Sequence, residues 1–123
     1  MQDTLLKDAI ITRNNADLLV TETDINNAID RVAENIKTKI GNEVPILLCV
    51  MKGGLIFTAE LMKRIQSPLE VDYVHVDRYR NQTQGSSIHW HRKPDINLEG
   101  RLVLLIDDIF DEGYTMQALI SYC

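Results

Sequence analysis

Apolar residues recur along this chain with two different spacings, which predict alternating helices and strands. Between positions 25 and 40 they fall three or four residues apart, as on one face of a helix. Three apolar segments with the length of strands follow, at 46–51, 69–76 and 102–106. A further helix is expected at 55–65, between the first two of these strands. Because strands alternate with helices, the pattern indicates an α/β fold built on a parallel sheet.

Local signals place the ends of the first long helix. Thr23 and Asp24 precede most of its apolar positions and predict its N-cap, and Gly41 predicts its end. Further upstream, the apolar segments 10–12 and 18–21 flank a polar turn and are compatible with two short strands. This N-terminal region is the least regular part of the pattern.

Length and charge exclude several classes of protein. The 123 residues suffice for one domain, 1–123, and a composition of 45% hydrophobic and 25% charged residues is ordinary for a globular protein. A net charge of −5 without a lysine or arginine run argues against nucleic acid and anionic membranes as partners. The chain has no secretion signal and no run of 18 apolar residues, and Cys49 and Cys123 are typical of reduced thiols. We therefore expect a cytoplasmic protein.

The last predicted strand is followed by the most informative residues of the chain. Asp107 and Asp108 come directly after its apolar run, and Asp111 and Gly113 follow before a helical pattern opens. In a parallel sheet, ligands bind where such strands end. Carboxylates there suit hydroxyl groups or hydrated Mg²⁺, and backbone N–H groups of a glycine turn suit a phosphate. The segment therefore predicts a site for a polyol phosphate.

A second strand end carries the sequence Lys52-Gly53-Gly54, which opens the next predicted helix. By itself this sequence is about equally a tight strand–helix turn and a phosphate-binding loop. The acidic end of the other strand makes the phosphate-binding interpretation the favoured one.

The polar stretch 77–97 is long for a loop without structure, and such loops are usually lids or disordered. Its centre, 80–87, is polar and turn-rich, so we predict a mobile flap that excludes water during a reaction. The alternative is an exposed hairpin without a role.

Histidines in and beside this stretch raise the question of a metal site. His89 and His91 share one face of a short strand, and His75 is expected elsewhere. Because zinc sites usually have three or four protein ligands, two imidazoles fall short. We interpret the histidines as a solvated hairpin edge.

Taken together, these motifs resemble the type I phosphoribosyltransferases, and in particular their hypoxanthine-guanine branch. The segment 102–115 is similar to that family's ribose-phosphate signature, and 48–54 to its Lys-Gly pyrophosphate loop. The segments 71–79 and 98–101 resemble its next strand with the flap tyrosine and the lead-in to the signature. The resemblance covers roughly 16–123, with the blocks in the family's order.

The resemblance implies a fold and an activity. The fold would be the Rossmann-like parallel sheet flanked by helices of the type I phosphoribosyltransferase core, with part of an N-terminal hood. The activity would be purine salvage: a glycosyltransferase that binds 5-phosphoribosyl diphosphate with Mg²⁺ and transfers the 5-phosphoribosyl group to a 6-oxopurine, hypoxanthine or guanine. Such enzymes are cytoplasmic homodimers or homotetramers. In the family the purine pocket follows the last helix, so the resemblance also implies that this chain is incomplete at its C-terminus.

Roles for individual residues follow only from the resemblance. Asp107 and Asp108 would hold the ribose hydroxyls and the metal, Asp111 would be the general base, and Tyr79 would close the flap. The implied pyrophosphate-binding residues are Lys52, Gly53 and Gly54. The implied 5′-phosphate loop consists of Asp111, Glu112, Gly113, Tyr114 and Thr115.

Three residues depart from the family's pattern. Glu112 stands where the family usually has Thr or Ser, Tyr114 where it often has Lys, and Arg78 where a Ser usually precedes the flap tyrosine. We expect Glu112 to point away from the phosphate, and backbone donors to compensate for the lost lysine. The resemblance also implies a cis peptide bond after Lys52.

Other interpretations stay open from the residues. A non-catalytic module or truncated remnant would bind 5-phosphoribosyl diphosphate without transferring it to a purine, and other type I transferases (adenine, orotate, uracil) share the signature. The acids also match the Asp-Asp-x-x-Asp motif of prenyl diphosphate synthases, but that motif lies on a helix. A further alternative is an acidic strand end that binds no ligand.

Overall fold

A computed structural model of the protein describes residues 2–15, 19–78, 88–108 and 114–123. In that part of the chain, helices and strands alternate much as the apolar pattern predicts. The elements are α1 (Gln2–Asn15), α2 (Glu22–Ile40), β1 (Ile46–Met51), α3 (Leu55–Arg64), β2 (Glu70–Arg78), β3 (Ile88–Arg92), β4 (Val103–Ile106) and α4 (Tyr114–Tyr122).

The four strands form one sheet in the order β3-β2-β1-β4. β1 runs parallel to both β2 and β4, which confirms the parallel core expected from the apolar segments. β3 lies antiparallel to β2, so the sheet is mixed and the polar stretch 77–97 contains a strand at its edge. β3 confirms the short strand expected around His89 and His91, although its five residues are too few to predict which residues of β2 they pair with.

The two faces of the sheet bury different sets of side chains, because successive residues of a strand point to opposite sides. One face packs against α2 and α3, and its buried members are Ala33, Leu47, Leu61, Ile65 and Ile106. The other face packs against α4, and its buried members are Leu48, Val50, Val74, Val76 and Leu119. β1 contributes to both faces and is almost entirely buried, which fixes it at the centre of the sheet.

The N-cap of α2 lies two residues before the predicted one. Thr21 is the N-cap, and its hydroxyl accepts a hydrogen bond from the Asp24 N–H at 3.1 Å. The Asp24 carboxylate in turn accepts from the Thr21 N–H at 3.4 Å, which completes a capping box. The prediction of Thr23–Asp24 as the cap is wrong because Asp24 acts from the third helical position. Gly41, in a positive-φ conformation of 59°, ends the helix as predicted.

The N-terminal region is helical where short strands were expected. Residues 10–12 lie within α1, and Val20 forms a bend before the α2 cap. The prediction was wrong because two or three neighbouring apolar residues do not distinguish a helix from a strand. Ile10 and Ile11 are about half exposed, at 49% and 56%, so burial does not decide between them either. Among the described helices, none has both the length and the apolar character needed to cross a membrane.

A buried carboxylate ties the strand pair β2–β3 to the turn after it. Asp72 is 6% exposed and accepts hydrogen bonds from the backbone N–H groups of Asp95 at 2.7 Å and Ile96 at 3.0 Å. It also pairs with Arg92 at 3.0 Å. Burial by itself raises the pKa of the Asp72 carboxyl, but these hydrogen bonds, with that of the Tyr73 N–H, outweigh it and lower the pKa.

Candidate functional site

The two predicted phosphate motifs lie side by side at one end of the sheet. β1 and β4 are neighbouring parallel strands, with Cys49 opposite Ile106. The residues that follow both strands therefore lie at the same carboxyl end of the sheet. A Cβ atom placed on Gly53 would lie 2.5–2.8 Å from the carboxylate atoms of Asp108. The Lys-Gly-Gly loop is therefore in direct contact with the acidic end of β4.

At position 54, backbone atoms of the neighbouring strands leave no space for a side chain, so glycine is required there. A Cβ atom there would lie 2.3 Å from the carbonyl oxygen of Ile106 and 3.0 Å from that of Val50, both of which are backbone atoms. The Gly54 N–H donates to the Val50 carbonyl at 2.8 Å, and the residue is the N-cap of α3 without a side-chain cap. The loop thus brings the N-terminus of α3 to the strand ends, and helix N-termini attract anions.

The backbone of this loop contains a cis peptide bond between Met51 and Lys52. The expected position was one bond later, after Lys52, so that prediction is wrong in its register. The Lys52 side chain is exposed at the same edge of the sheet.

Asp107 and Asp108 are neighbouring carboxylates at the end of β4. The Asp108 N–H donates to the Asp107 carboxylate at 2.8 Å. Burial raises the pKa of the half-buried Asp107 carboxyl, and its hydrogen bond and like charge with Asp108 act in the same direction, whereas the N–H bond opposes them. A bound cation or a pair of hydroxyl donors would relieve this cost, so the pair suits Mg²⁺ or a ribose diol.

A largely apolar cavity of about 500 Å³ runs beside β4 and reaches Asp107. Its walls come from α2, α3, β4 and α4. They include Ile36, Phe57, Leu104, Met116 and Ile120. β4 is the last strand of the described sheet on this side, so the cavity follows that edge of the sheet from the acidic pair.

Several predicted site residues lie outside the described residues. They are Tyr79, Asp111, Glu112 and Gly113, together with the side chains of Arg78, Tyr114 and Thr115 and the predicted flap at 80–87. The backbone of α4 begins at Tyr114, so the phosphate loop expected before it leads into a helix N-terminus as predicted.

The sequence analysis missed one group of side chains. His75 and His91, which were placed apart, have ring centroids 4.6 Å apart, and Asp77 hydrogen-bonds to His91. The pairing of β3 with β2 brings them together. Alternate polar positions on both strands, His75 with Asp77 and His89 with His91, were the signal in the sequence, since alternate residues share a face.

Comparison with known proteins places these features in a family. The family model described as a phosphoribosyl transferase domain matches residues 19–122. The hypoxanthine-guanine phosphoribosyltransferase of Bacillus subtilis (strain 168) is 32% identical over 105 residues, which are 85% of this chain and 58% of that protein. The hypoxanthine-guanine-xanthine phosphoribosyltransferase of Tritrichomonas foetus is 29% identical over 104 residues, 85% of this chain and 57% of that one.

Solved structures agree with this fold. A hypoxanthine-guanine phosphoribosyltransferase from Bacillus anthracis, with a HEPES molecule in its active site, has a TM-score of 0.82 and 26% identity. The match covers 87% of this chain and 64% of that one. A hypoxanthine phosphoribosyltransferase from Staphylococcus aureus has a TM-score of 0.84 at 23% identity, over 92% and 62% of the two chains, and supports the fold alone. The chain spans less than two thirds of the length of these relatives.

Proposed function

Because the chain belongs to the phosphoribosyl transferase domain family, we propose that it serves purine salvage. In this proposal, the 5-phosphoribosyl group of 5-phosphoribosyl diphosphate passes to hypoxanthine or guanine, and pyrophosphate leaves. Relatives named as hypoxanthine-guanine phosphoribosyltransferases support the choice of purine. The expected setting is the cytoplasm, and the expected assembly is a homodimer or homotetramer.

One observation carries the proposal: the contact between Gly53 and the Asp108 carboxylate. Pyrophosphate and ribose are bonded to each other in the substrate, so their two binding motifs must adjoin. A loop that only turned from a strand into a helix would have no reason to leave space for a carboxylate of another strand.

Asp107 and Asp108 are the residues proposed to hold the ribose hydroxyls and Mg²⁺. Adjacent carboxylates supply the oxygen ligands that Mg²⁺ prefers, and the raised pKa of Asp107 marks a pair that is short of positive charge. Bound there, Mg²⁺ would neutralise negative charge on the diphosphate.

The leaving pyrophosphate would be bound by Lys52 and by the backbone of Gly53 and Gly54 at the N-terminus of α3. These donors would act most strongly as negative charge develops on the departing oxygen, and less on the bound substrate. The C1′–oxygen bond breaks toward this loop, and the transition state resembles an oxocarbenium ion. Positioning of the two reactants would therefore supply much of the rate enhancement.

The remaining roles follow the family's pattern and stay part of the proposal. A purine nitrogen forms the new bond to C1′, and its proton would pass to Asp111 as general base. The 5′-phosphate would bind the loop 111–115, including the hydroxyl of Thr115, with Glu112 turned outward. Tyr79 would close over the diphosphate.

Steady-state kinetics of purine nucleotide formation test the proposal. Joined to the purine pocket that the family resemblance implies, the chain should form the nucleotide from hypoxanthine or guanine only with 5-phosphoribosyl diphosphate and Mg²⁺. The 123 residues alone should bind the diphosphate without forming the nucleotide. Lys52→Met should lower kcat/KM for the diphosphate substrate by at least about tenfold, because a charge-assisted contact to pyrophosphate is lost.

Lys7→Met, at an exposed position of α1, is the matched control and should leave kcat/KM for the diphosphate substrate unchanged. In the protein that includes the purine pocket, binding of 5-phosphoribosyl diphosphate without nucleotide formation would overturn the enzymatic proposal in favour of a non-catalytic binding module. If the protein neither bound 5-phosphoribosyl diphosphate nor formed the nucleotide, the proposed binding site itself would be wrong.

A further inference from the structure

Three potential metal ligands converge on one face of the strand pair β2–β3. They are His75, Asp77 and His91, and we call them the histidine cluster. One ligand atom from each lies within 4.8 Å of the others. Among the described residues, this is the one group of three or more such side chains that lies so close together.

Strand pairing explains why these side chains meet. Asp77 lies opposite His89 on β3, and the register shifts by one residue between His75 and Val76. The shift leaves His91 between the paired residues Trp90 and Arg92, and its side chain contacts both His75 and Asp77. The opposite face of the same strands carries Val76 and Trp90, which pack in the core, so the cluster faces away from it.

We propose that the histidine cluster binds a divalent transition-metal ion of the Zn²⁺ type. Two imidazoles and one carboxylate are a common three-ligand set for zinc, with a fourth position left to water. The imidazole nitrogens select such ions over Mg²⁺, which prefers oxygen ligands alone. This site is therefore distinct in chemistry from the acidic pair after β4.

The distances require only a small adjustment. The Nε2 atom of His91 and the Oδ2 atom of Asp77 are 2.5 Å apart, joined by a hydrogen bond. In a tetrahedral site with bonds of about 2.0–2.1 Å, two ligand atoms are about 3.3 Å apart. The two side chains are 40% and 65% exposed, so they have space to open by this amount.

Electrostatics favour a cation at this position. The Asp77 carboxylate already hydrogen-bonds to His91, so two of the proposed ligands are held together. Arg92, the next residue along β3, is already ion-paired with Asp72 at 3.0 Å and Asp95 at 2.8 Å. Its charge is therefore largely compensated.

The position of the cluster links it to the rest of the site. His75 lies opposite Met51 in the β1–β2 register, one residue before Lys52. β2 and β3 flank residues 79–87, so a metal ion bound to both strands would cross-link them where that segment begins and ends.

Calorimetric titration of Zn²⁺ into chelator-treated full-length chain tests the proposal. It should be done in the Asp107→Asn plus Asp108→Asn background, so that the acidic pair adds no second site. We expect one ion per chain, and Co²⁺ in its place should give visible absorption bands typical of four- or five-coordinate sites. His75→Gln, Asp77→Asn and His91→Gln should each weaken Zn²⁺ binding at least about tenfold.

His89→Gln is the matched control, since it removes a histidine from the same strand face. His89 stacks edge-on against His91 at 4.7 Å between ring centroids but is not one of the three proposed ligands. Its substitution should change the affinity by less than about threefold. The proposal would be overturned if the three cluster variants bound Zn²⁺ as tightly as the parent protein, or if only the His89 variant lost Zn²⁺ binding. Circular dichroism would identify any variant that fails to fold.

Discussion

Gly53 and Gly54 are adjacent, yet different neighbours exclude a side chain from each. At Gly53 the space is occupied by the end of the Asp108 side chain, whereas at Gly54 it is occupied by the backbone of β4. A carboxylate group can rotate away, but the backbone carbonyl of a strand that is paired in the sheet cannot. The two glycines should therefore respond differently to the same substitution.

Gly54→Ala should destabilise the fold, by about 1–3 kcal/mol or more, because its Cβ atom would overlap the Ile106 carbonyl. Gly53→Ala should cost less stability but weaken 5-phosphoribosyl diphosphate binding, because it displaces the Asp108 carboxylate. Urea denaturation and calorimetric binding of both variants check this. Equal loss of stability in the two variants would contradict the geometry of the loop.

The raised pKa of Asp107 predicts a pH-dependent stability with a definite sign. Its carboxyl has a higher pKa in the folded than in the unfolded chain, so folding favours its protonated form. The stabilising contribution is present below the unfolded pKa and is lost as pH rises through the folded pKa.

Asp107→Asn should therefore raise the free energy of unfolding at neutral pH without Mg²⁺, by about 0.5–1 kcal/mol. The gain should shrink at acidic pH, where wild-type Asp107 is protonated. Urea denaturation of both proteins at two pH values measures it. A destabilised variant at neutral pH would contradict the inferred environment of Asp107.

At the scale of elements, the sequence predicts best where one physical factor dominates. β1 and β4 were predicted from their uninterrupted apolar runs; β1 is almost entirely buried, and β4 is partly buried up to the buried Ile106. β3 was expected as a short strand around His89 and His91, but its five alternating residues do not determine how it pairs with β2. α1 was missed because its exposed side chains carry no apolar stripe.

The same distinction holds for the candidate site. The contact between the Lys-Gly-Gly loop and Asp108 could be anticipated, since parallel neighbours end at one edge of the sheet. The histidine cluster could not, because it depends on which residues of β3 pair with β2, and the sequence does not determine that register. The cis bond was expected after Lys52 from the family resemblance alone, and it lies one bond earlier, between Met51 and Lys52.

Asp72 is the residue on which the strand pair β2–β3 depends most clearly. Asp72→Asn should lower the free energy of unfolding by about 2–4 kcal/mol, because an amide group would face backbone N–H donors and Arg92. Its carboxyl pKa is lowered in the fold, so its contribution is present above the unfolded pKa and lost as pH falls through the folded pKa.

Asp95→Asn is the matched control, since it removes one exposed ion pair with Arg92 and should cost less than about 1 kcal/mol. Urea denaturation at neutral and acidic pH measures both effects. Similar stabilities of the two variants at neutral pH would show that Asp72 does not anchor the turn.

At the scale of the whole molecule, the candidate binding residues lie at the carboxyl end of the sheet. The Lys-Gly-Gly loop, the acidic pair and the histidine cluster all follow or lie near the carboxyl ends of β1, β4 and β2. The apolar cavity beside β4 reaches Asp107 at this end of the sheet. An α/β sheet with its ligand groups at this end is the arrangement expected for a nucleotide-type substrate.

The central claim is that the loop after β1 and the acids after β4 form one site for 5-phosphoribosyl diphosphate. Calorimetric titration with this compound and Mg²⁺ tests it most directly. Asp107→Asn plus Asp108→Asn should weaken binding at least about 30-fold, equivalent to about 2 kcal/mol, with the fold intact by circular dichroism. Asp3→Asn plus Asp8→Asn, which removes the same charge from exposed positions of α1, should leave the affinity within about threefold of wild type. Equal affinity in the two double variants would contradict the account.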